Sequence, residues 1–322
     1  MLALVFPGQG SQAVGMLAEL AAVHPAIRAT FDEASAGADV DLWTLSQSGP
    51  EAQLNQTEFT QPALLAAGVA VWRAWHAAGG ALPAILAGHS LGEYTALVCA
   101  GVLGLHDAAG LVRERGRLMQ SAVPDGVGAM AAVLGADDDT IAMACAEVAG
   151  DQIVAPANFN SPGQTVIAGH AAAVERALAR LAELGVRKAV RLPVSVPSHT
   201  PLMRDAAARL AQRMQSLAWH APQIPVVQNA DARSADQVEA IRDALVRQLH
   251  QPVQWTACVH ALRAAGASQF GECGPGKVLA GLIKRIDKTL DCRSLGTPAD
   301  FELALASLGV AQPAQSSAQT LE

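Results

Sequence analysis

The chain has 322 residues, 51% hydrophobic and 16% charged, which supplies ample material for a core in two domains or one large one and excludes a disordered polymer. A formal net charge of −7 argues against nucleic acid as a partner, and aromatics at 4%, with Tyr94 the sole tyrosine, exclude a row of base-stacking rings. Gly, Pro or a charge interrupts every apolar run before about 18 residues, so no membrane span is expected. The five cysteines are odd in number and form no C-x-x-C pair, which suits buried thiols in a reducing compartment better than a disulfide frame or a zinc site. Met1–Phe6 lacks a basic lead and a long apolar stretch, so no signal peptide is read and a cytoplasmic location is expected.

Short apolar runs bounded by Gly or Pro alternate with Ala/Leu-rich helical stretches, the pattern of an α/β protein. Leu2–Phe6 reads as a strand, Thr60–Ala78 as a helix, Ala84–Ala87 as a buried strand, and Leu91–Ala100 and Asp107–Ala122 as helices. After the turn at Pro124-Asp125-Gly126 the rhythm changes. Ala129–Leu134 (strand), Asp137–Val148 (Asp-capped helix), Ile153–Asn158 and Thr165–Ala168 (strand pair), Ala171–Leu184 (helix) and Ala189–Val194 (strand) follow in turn. That β-α-β-β-α-β order is the split βαβ of a ferredoxin-like unit. It predicts a small domain, 126–196, inserted between 1–125 and 197–308 of a larger one, with Pro193 and Pro197 at its exit. The remainder reads as a helix from Pro201, a strand Pro225–Gln228, helices Gln237–Leu249 and Val253–Ala265, a strand Ser268–Glu272 and a helix Lys277–Arg285. The Gln/Ser/Ala-rich stretch 309–322 is expected to be a disordered tail.

The sharpest motif is Gly88-His89-Ser90-Leu91-Gly92, a G-x-S-x-G between a predicted buried strand and a predicted helix, which is the context of a nucleophile elbow. In so tight a turn any side chain at the flanking glycines collides with neighbouring backbone. The serine hydroxyl then projects above the sheet, and the N–H of Leu91, at a helix N-terminus, points toward a developing oxyanion. Of nine histidines, His199 is the best candidate base: it lies on a loop before a helix that Thr200 can cap, with Pro201 at the first helical position. A histidine at a positive helix end is kept neutral. His89 is read as a spacer in the elbow.

Three other features carry alternatives. Gly8, Gly10 and Ala13, with Asp32 downstream, imitate a dinucleotide fingerprint, but the third glycine and the β-α-β unit are missing. The other reading is that these glycines let the backbone approach an acyl group, with Gln9 supplying a second oxyanion N–H. Gly271-Glu272-Cys273-Gly274-Pro275-Gly276-Lys277-Val278 resembles a P-loop but has valine where a hydroxyl must hold magnesium, so ATP binding is rejected. Among Arg113, Arg115 and Arg117, one buried guanidinium would clamp a carboxylate, and sequence pattern does not choose between them.

Taken together, these residues resemble the malonyl-CoA:acyl carrier protein transacylases and the related acyltransferase domains of polyketide synthases. The resemblance spans about residues 2–305. It rests on Phe6-Pro7-Gly8-Gln9-Gly10-Ser11-Gln12, Gly88-His89-Ser90-Leu91-Gly92-Glu93-Tyr94, Arg115-Gly116 with Leu118-Met119-Gln120, Asn158-Phe159-Asn160-Ser161-Pro162-Gly163-Gln164, Val196-Pro197-Ser198-His199, Gln248-Leu249 and Glu272-Cys273-Gly274-Pro275-Gly276-Lys277. It implies an α/β-hydrolase-like large domain with the ferredoxin-like insert. It also implies transfer of malonyl from malonyl-CoA to the phosphopantetheine thiol of acyl carrier protein in fatty acid biosynthesis, through a malonyl-serine ester. Ser90 would be the nucleophile, His199 the base, and Gln248 the holder of His199 through its backbone carbonyl. Gln9 and Leu91 would form the oxyanion hole, and Arg115 would pair with the malonyl carboxylate. Leu91 and Ser198 are like those of malonyl-selecting members, and Cys273 would be neutral packing. No cofactor or metal is implied, and a monomer is.

A thioesterase-type hydrolase and a non-catalytic carrier- or CoA-binding subunit are the competing classes. Against the first, His199 lies far from the C-terminus; against the second, Ser90, His199 and Arg115 are all intact. Acyl carrier proteins are acidic by the same resemblance, so docking on a chain of charge −7 requires a local basic patch. The candidates are Arg187, Lys188, Arg191, Lys277, Lys284 and Arg285.

Overall fold

The structure, a computed structural model, describes residues 1–124 and 126–308. Nine strands lie among the described residues: β1 (Leu2–Phe6), β2 (Ile85–Gly88), β3 (Gly128–Leu134), β4 (Val154–Ser161), β5 (Gln164–His170), β6 (Lys188–Arg191), β7 (Val226–Val227), β8 (Gln269–Glu272) and β9 (Cys292–Ser294). They form two sheets. The first is parallel, in the order β7-β2-β1-β8-β9. Its strands are continuous apolar runs because helices cover both faces, and all five residues of β1 are buried. One face packs against the long helix Thr57–Ala77 and its neighbours around Phe6, Tyr94 and Val112. The other packs around Trp255, Phe270 and Ile283.

Register places the site. Phe6 pairs with Gly88, so the loops leaving β1 and β2 emerge side by side, and His89 N–H donates to Phe6 O at 3.0 Å. Cys273 N–H donates to Val5 O at 2.8 Å, bringing the end of β8 to the same edge. Ligands of open parallel sheets bind beyond the carboxyl ends of the strands.

The second sheet is antiparallel, in the order β4-β5-β3-β6. Alternation along β3 sends Ala129, Ala131 and Val133 into a core with the helices Asp138–Val148 and Ala171–Glu183. It turns Met130 and Ala132 to the opposite face, with Val166, Ala168 and Leu192. Asp137 caps the first of those helices, accepting from Thr140 N–H. Phe159 N–H donates to Val253 O and Val253 N–H to Ala157 O, both at 2.9 Å, which ties β4 to the loop before the helix Trp255–Ala264.

The predicted elements are present with shifted ends. The last strand of the insert stops at Arg191 rather than Val194, although Leu192 N–H still donates to Met130 O, because Pro193 has no N–H to continue the ladder. Four helices between Ala18 and Leu54, strand β9 and the helix Pro298–Leu308 had not been predicted. The expected tail, 309–322, lies outside the described residues.

Candidate active site

Ser90 sits between β2 and the helix Leu91–Cys99 with φ 53° and ψ −105°, a conformation that costs a non-glycine residue about 1–3 kcal/mol. The flanking glycines are required by contact: a Cβ at Gly88 would lie 1.9 Å from the carbonyl carbon of Gly92, and one at Gly92 would lie 2.0 Å from Phe6 O. The elbow is further locked by Asn229, whose Oδ1 accepts from Ser90 N–H at 2.6 Å while its Nδ2 donates to Gly88 O at 2.7 Å.

His199 also has a positive φ, 61°, and is 3% exposed. Its Nε2 lies 2.8 Å from Ser90 Oγ and its Nδ1 2.7 Å from the backbone oxygen of Gln248. A carbonyl can only accept, so Nδ1 carries the proton and Nε2 is the free base. Burial, then the charge of Arg115, pushes the imidazole pKa down to about 3. Neutrality therefore comes from desolvation first. Thr200 does not cap the following helix through its side chain; its hydroxyl donates back to Pro197 O at 2.7 Å, shaping the loop that carries His199.

The three arginines separate cleanly. Arg113 donates to the backbone oxygens of Ala38 and Asp39, and Arg117 pairs with Glu58 at 2.9 Å on the surface. Arg115 is 1% exposed and points into the site. Its Nη2 donates to Ser90 Oγ at 3.2 Å and Gln248 Oε1 at 2.9 Å, and its Nη1 to Gln61 Oε1 at 2.8 Å. Its Nε has no protein partner among the described residues. The guanidinium stands 5.2 Å from the centre of the Tyr94 ring. Among the described residues no carboxylate pairs with it, so an anion can still approach it.

These groups line one cavity of about 240 Å³ with Gln9 and Leu91. Neither the Gln9 nor the Leu91 backbone N–H is engaged by another described backbone oxygen. Met130, Val166, Leu192 and Val194 supply an apolar wall from the second sheet. Asn160 of β4 meets His89 Nε2 at 2.8 Å, so His89 ties the elbow to the second sheet and is more than a spacer. Sequence reading gave no role to Gln61, Glu93, Asn160 or Asn229, nor to the side chain of Gln248. Asn160 and Glu93 stood inside quoted motifs; Gln61 and Asn229 carried no local signal.

Both near-miss motifs have other structural roles. The helix Val278–Ile286, where a P-loop would hold phosphate, is occupied by its own chain: Glu272 accepts from Leu279 N–H at 3.0 Å and Ala280 N–H at 2.8 Å. Asp32, the downstream acid of the incomplete dinucleotide fingerprint, is exposed and paired with Arg28 on the helix Ala26–Ala38. Cys273 is buried, as expected of packing. Among the described residues no cluster of potential metal ligands occurs, and no helix is long and apolar enough to cross a membrane.

Residues 3–299 match the acyl transferase domain family. The malonyl CoA-acyl carrier protein transacylase of Escherichia coli (strain K12) is 56% identical over 303 residues, spanning 94% of this chain and 98% of the relative. Among solved structures, the malonyl-CoA:acyl carrier protein transacylase of Xanthomonas oryzae pv. oryzae superimposes with a TM-score of 0.95 at 70% identity, over 95% of this chain and 98% of that one. A malonyl-transacylase solved in complex with its type II PKS acyl-carrier protein superimposes with a TM-score of 0.93 at 53% identity, over 95% and 99% of the two chains. The chain thus belongs to the acyl transferase family and, within it, to the malonyl CoA-acyl carrier protein transacylases.

Proposed function

We propose that this chain transfers malonyl from malonyl-CoA to the phosphopantetheine thiol of an acyl carrier protein in fatty acid biosynthesis, in two half-reactions through a Ser90 ester. One observation carries the reading: Ser90 Oγ lies 2.8 Å from a neutral imidazole and 3.2 Å from a buried guanidinium whose fork no carboxylate occupies. A base beside the hydroxyl makes a nucleophile, and the guanidinium selects an acyl group that carries its own negative charge.

In the first half-reaction His199 Nε2 accepts the Ser90 proton as Oγ attacks the thioester carbon. The backbone N–H groups of Gln9 and Leu91 receive the oxyanion of the tetrahedral intermediate. Its collapse expels the coenzyme A thiolate, which takes the proton from His199. In the second, His199 removes the proton of the carrier thiol, the thiolate attacks the malonyl-serine ester, and the proton returns to Ser90. Gln248 fills the place of a triad acid with a neutral carbonyl. Malonyl also aids its own transfer: a carboxylate on Arg115 offsets the positive charge that opposes forming imidazolium at His199.

The strand order of the second sheet and the chain's passage through it support a ferredoxin-like small domain, 126–196, inserted in an α/β-hydrolase-like domain of 1–125 and 197–308. We further infer a cytoplasmic monomer that needs neither metal nor cofactor. Intact mass after mixing with malonyl-CoA should show one malonyl adduct, which disappears when carrier protein is added and its malonyl thioester forms. Rapid release of free coenzyme A with no acceptor present would mean a hydrolase instead.

A further inference from the structure

Glu93 is fully buried in the first turn of the helix that follows Ser90, yet it touches neither Ser90 Oγ nor His199. Its Oε2 accepts from Asn229 N–H at 2.9 Å and from Gln248 Nε2 at 2.9 Å. The second hydrogen of Gln248 Nε2 goes to Ser90 O at 2.8 Å. A carbonyl and a carboxylate offer only lone pairs, so the nitrogen of the Gln248 amide must face them and its Oε1 must face Arg115. The contact of Arg115 Nη2 with Gln248 Oε1 at 2.9 Å is therefore dictated from the far side of the amide.

A buried guanidinium needs a counter-charge, but a carboxylate placed directly on it would fill the fork that the substrate must enter. Here Glu93 lies one amide away. Burial raises the Glu93 pKa to about 7, opposed by its bonds to Gln248 and Asn229 and by the charge of Arg115, and burial lowers that of Arg115, opposed by Tyr94 and Glu93, so across Gln248 each charge favours the ionised form of the other. Resting on the reading that Arg115 holds the acyl carboxylate, we propose that Glu93 is the positioning residue for charge selection: its carboxylate orients the Gln248 amide and balances Arg115 while leaving the guanidinium open to malonyl. Asn229 gives the same carboxylate a second arm, to the backbone of the elbow.

The test is the ratio of malonyl to acetyl loading of Ser90 from the two CoA thioesters, measured on one protein sample so that the fraction folded cancels. Glu93→Gln keeps the shape and one acceptor oxygen but removes the charge. The ratio should fall about tenfold, chiefly through the malonyl KM, with acetyl loading changed far less. Glu93→Asp keeps the charge and should hold the ratio within about threefold of the native value. In an Arg115→Ala background, Glu93→Gln should leave the ratio unchanged, because its effect runs through Arg115. Equal losses of malonyl and acetyl loading in Glu93→Gln, equal ratios in the Gln and Asp variants, or a persisting effect without Arg115 would each overturn the proposal. If Arg115→Ala alone leaves the ratio intact, the reading of Arg115 fails first and the role of Glu93 fails with it. Should Glu93→Gln not fold, the Asp variant alone decides, a lost ratio overturning the proposal.

Discussion

The two sheets meet at one cavity and contribute different things to it. The parallel sheet delivers Ser90 on a strained turn whose flanking positions have room only for glycine and which Asn229 holds, every residue of β1 and β2 being buried. The antiparallel sheet delivers a wall: apolar side chains and Asn160, on a sheet whose outer strand β6 is exposed at all four residues. His199 belongs to the segment that returns from the second sheet to the first. Atoms that must be placed to a fraction of an ångström are mounted where packing allows no alternative, and the surface that must admit a long thioester arm is mounted where it does. Substitutions in the first layer should therefore stop the chemistry, and substitutions in the second should tune access.

The largest effect is expected from Ser90→Ala. Among the described residues the hydroxyl bonded to His199 Nε2 is that of Ser90, so intact mass should show no malonyl adduct on the variant under conditions that load the native protein fully. A persisting adduct would place the nucleophile elsewhere and dissolve the contrast between the layers.

His199→Ala should slow both half-reactions by roughly 10²–10⁴, the usual worth of acid–base help, as read by stopped-time loading and unloading. The depressed pKa adds a pH signature. A base held near 3 stays neutral throughout the pH range above it, so acetyl loading, which involves no acyl carboxylate, should show no inflection near 6.5. An inflection at 6.5 would mean that water reaches the imidazole. Folding carries the matching sign: His199 binds a proton at 6.5 when unfolded and at about 3 when folded, so its contribution to stability falls as pH drops from 6.5 toward 3.

The parts of this site legible in the sequence are those with a local signature. Ser90 announces itself through two glycines that the turn geometry demands, whereas Arg115 stands among three arginines between which the sequence pattern does not choose, and only the family resemblance singles it out. The side chains that brace the elbow and Arg115 from behind were invisible for a physical reason: Gln248 and Glu93 meet across 155 residues, and Asn229 and Gly88 across 141. Such contacts exist only once the parallel sheet has aligned its strand ends, and no spacing rule reports them. The missed elements follow the same logic. The helices between Ala18 and Leu54 are mostly short, and Leu17, Pro25 and Pro50 at their starts supply no side-chain cap, while β9 has three residues, too few to show a period. The β-α-β-β-α-β order was readable because its first five elements are long enough to display alternation or helical repeat by themselves; β6, four exposed residues, was legible only from its place after the helix Ala171–Glu183 and before Pro193.

Arg115→Ala tests the boundary between stopping and tuning. Malonyl loading should drop by about two orders of magnitude, while acetyl loading should rise relative to it, because an uncharged acyl group no longer leaves a buried guanidinium unpaired. Steady-state kinetics with both thioesters reads the ratio. An unchanged ratio would assign the guanidinium to holding Gln61 and Gln248 in place, and the malonyl carboxylate would need another partner.

The smallest expected effect concerns docking, and it draws on both layers at the rim of the cavity. The structure already sorts five of the six candidate cations. Arg191 pairs with Glu175 at 2.7 Å and Lys277 with Asp300 at 3.0 Å, which leaves little net positive charge at either. Arg285 donates to Gln164, a residue of the cavity lining, and Lys284 donates to the backbone oxygens of Lys288 and Leu290 without a carboxylate partner. Lys188 is exposed on β6 and enters no ion pair among the described residues. The uncompensated charges thus stand on β6 and on the helix whose Val278, Leu279 and Leu282 line the cavity. A carrier of opposite charge would be steered toward that side against the repulsion of the whole chain. Reversing Lys188 and Lys284 to Glu together should lower transfer to carrier protein by about three- to tenfold at low salt, through the association rate, and flatten its dependence on ionic strength. Loading of Ser90 from malonyl-CoA should change by less than about twofold, since neither lysine bonds to the strained elbow or its dyad. Equal losses in both half-reactions would assign these lysines to the phosphates of coenzyme A, and no loss in either would move the docking surface off the second sheet altogether.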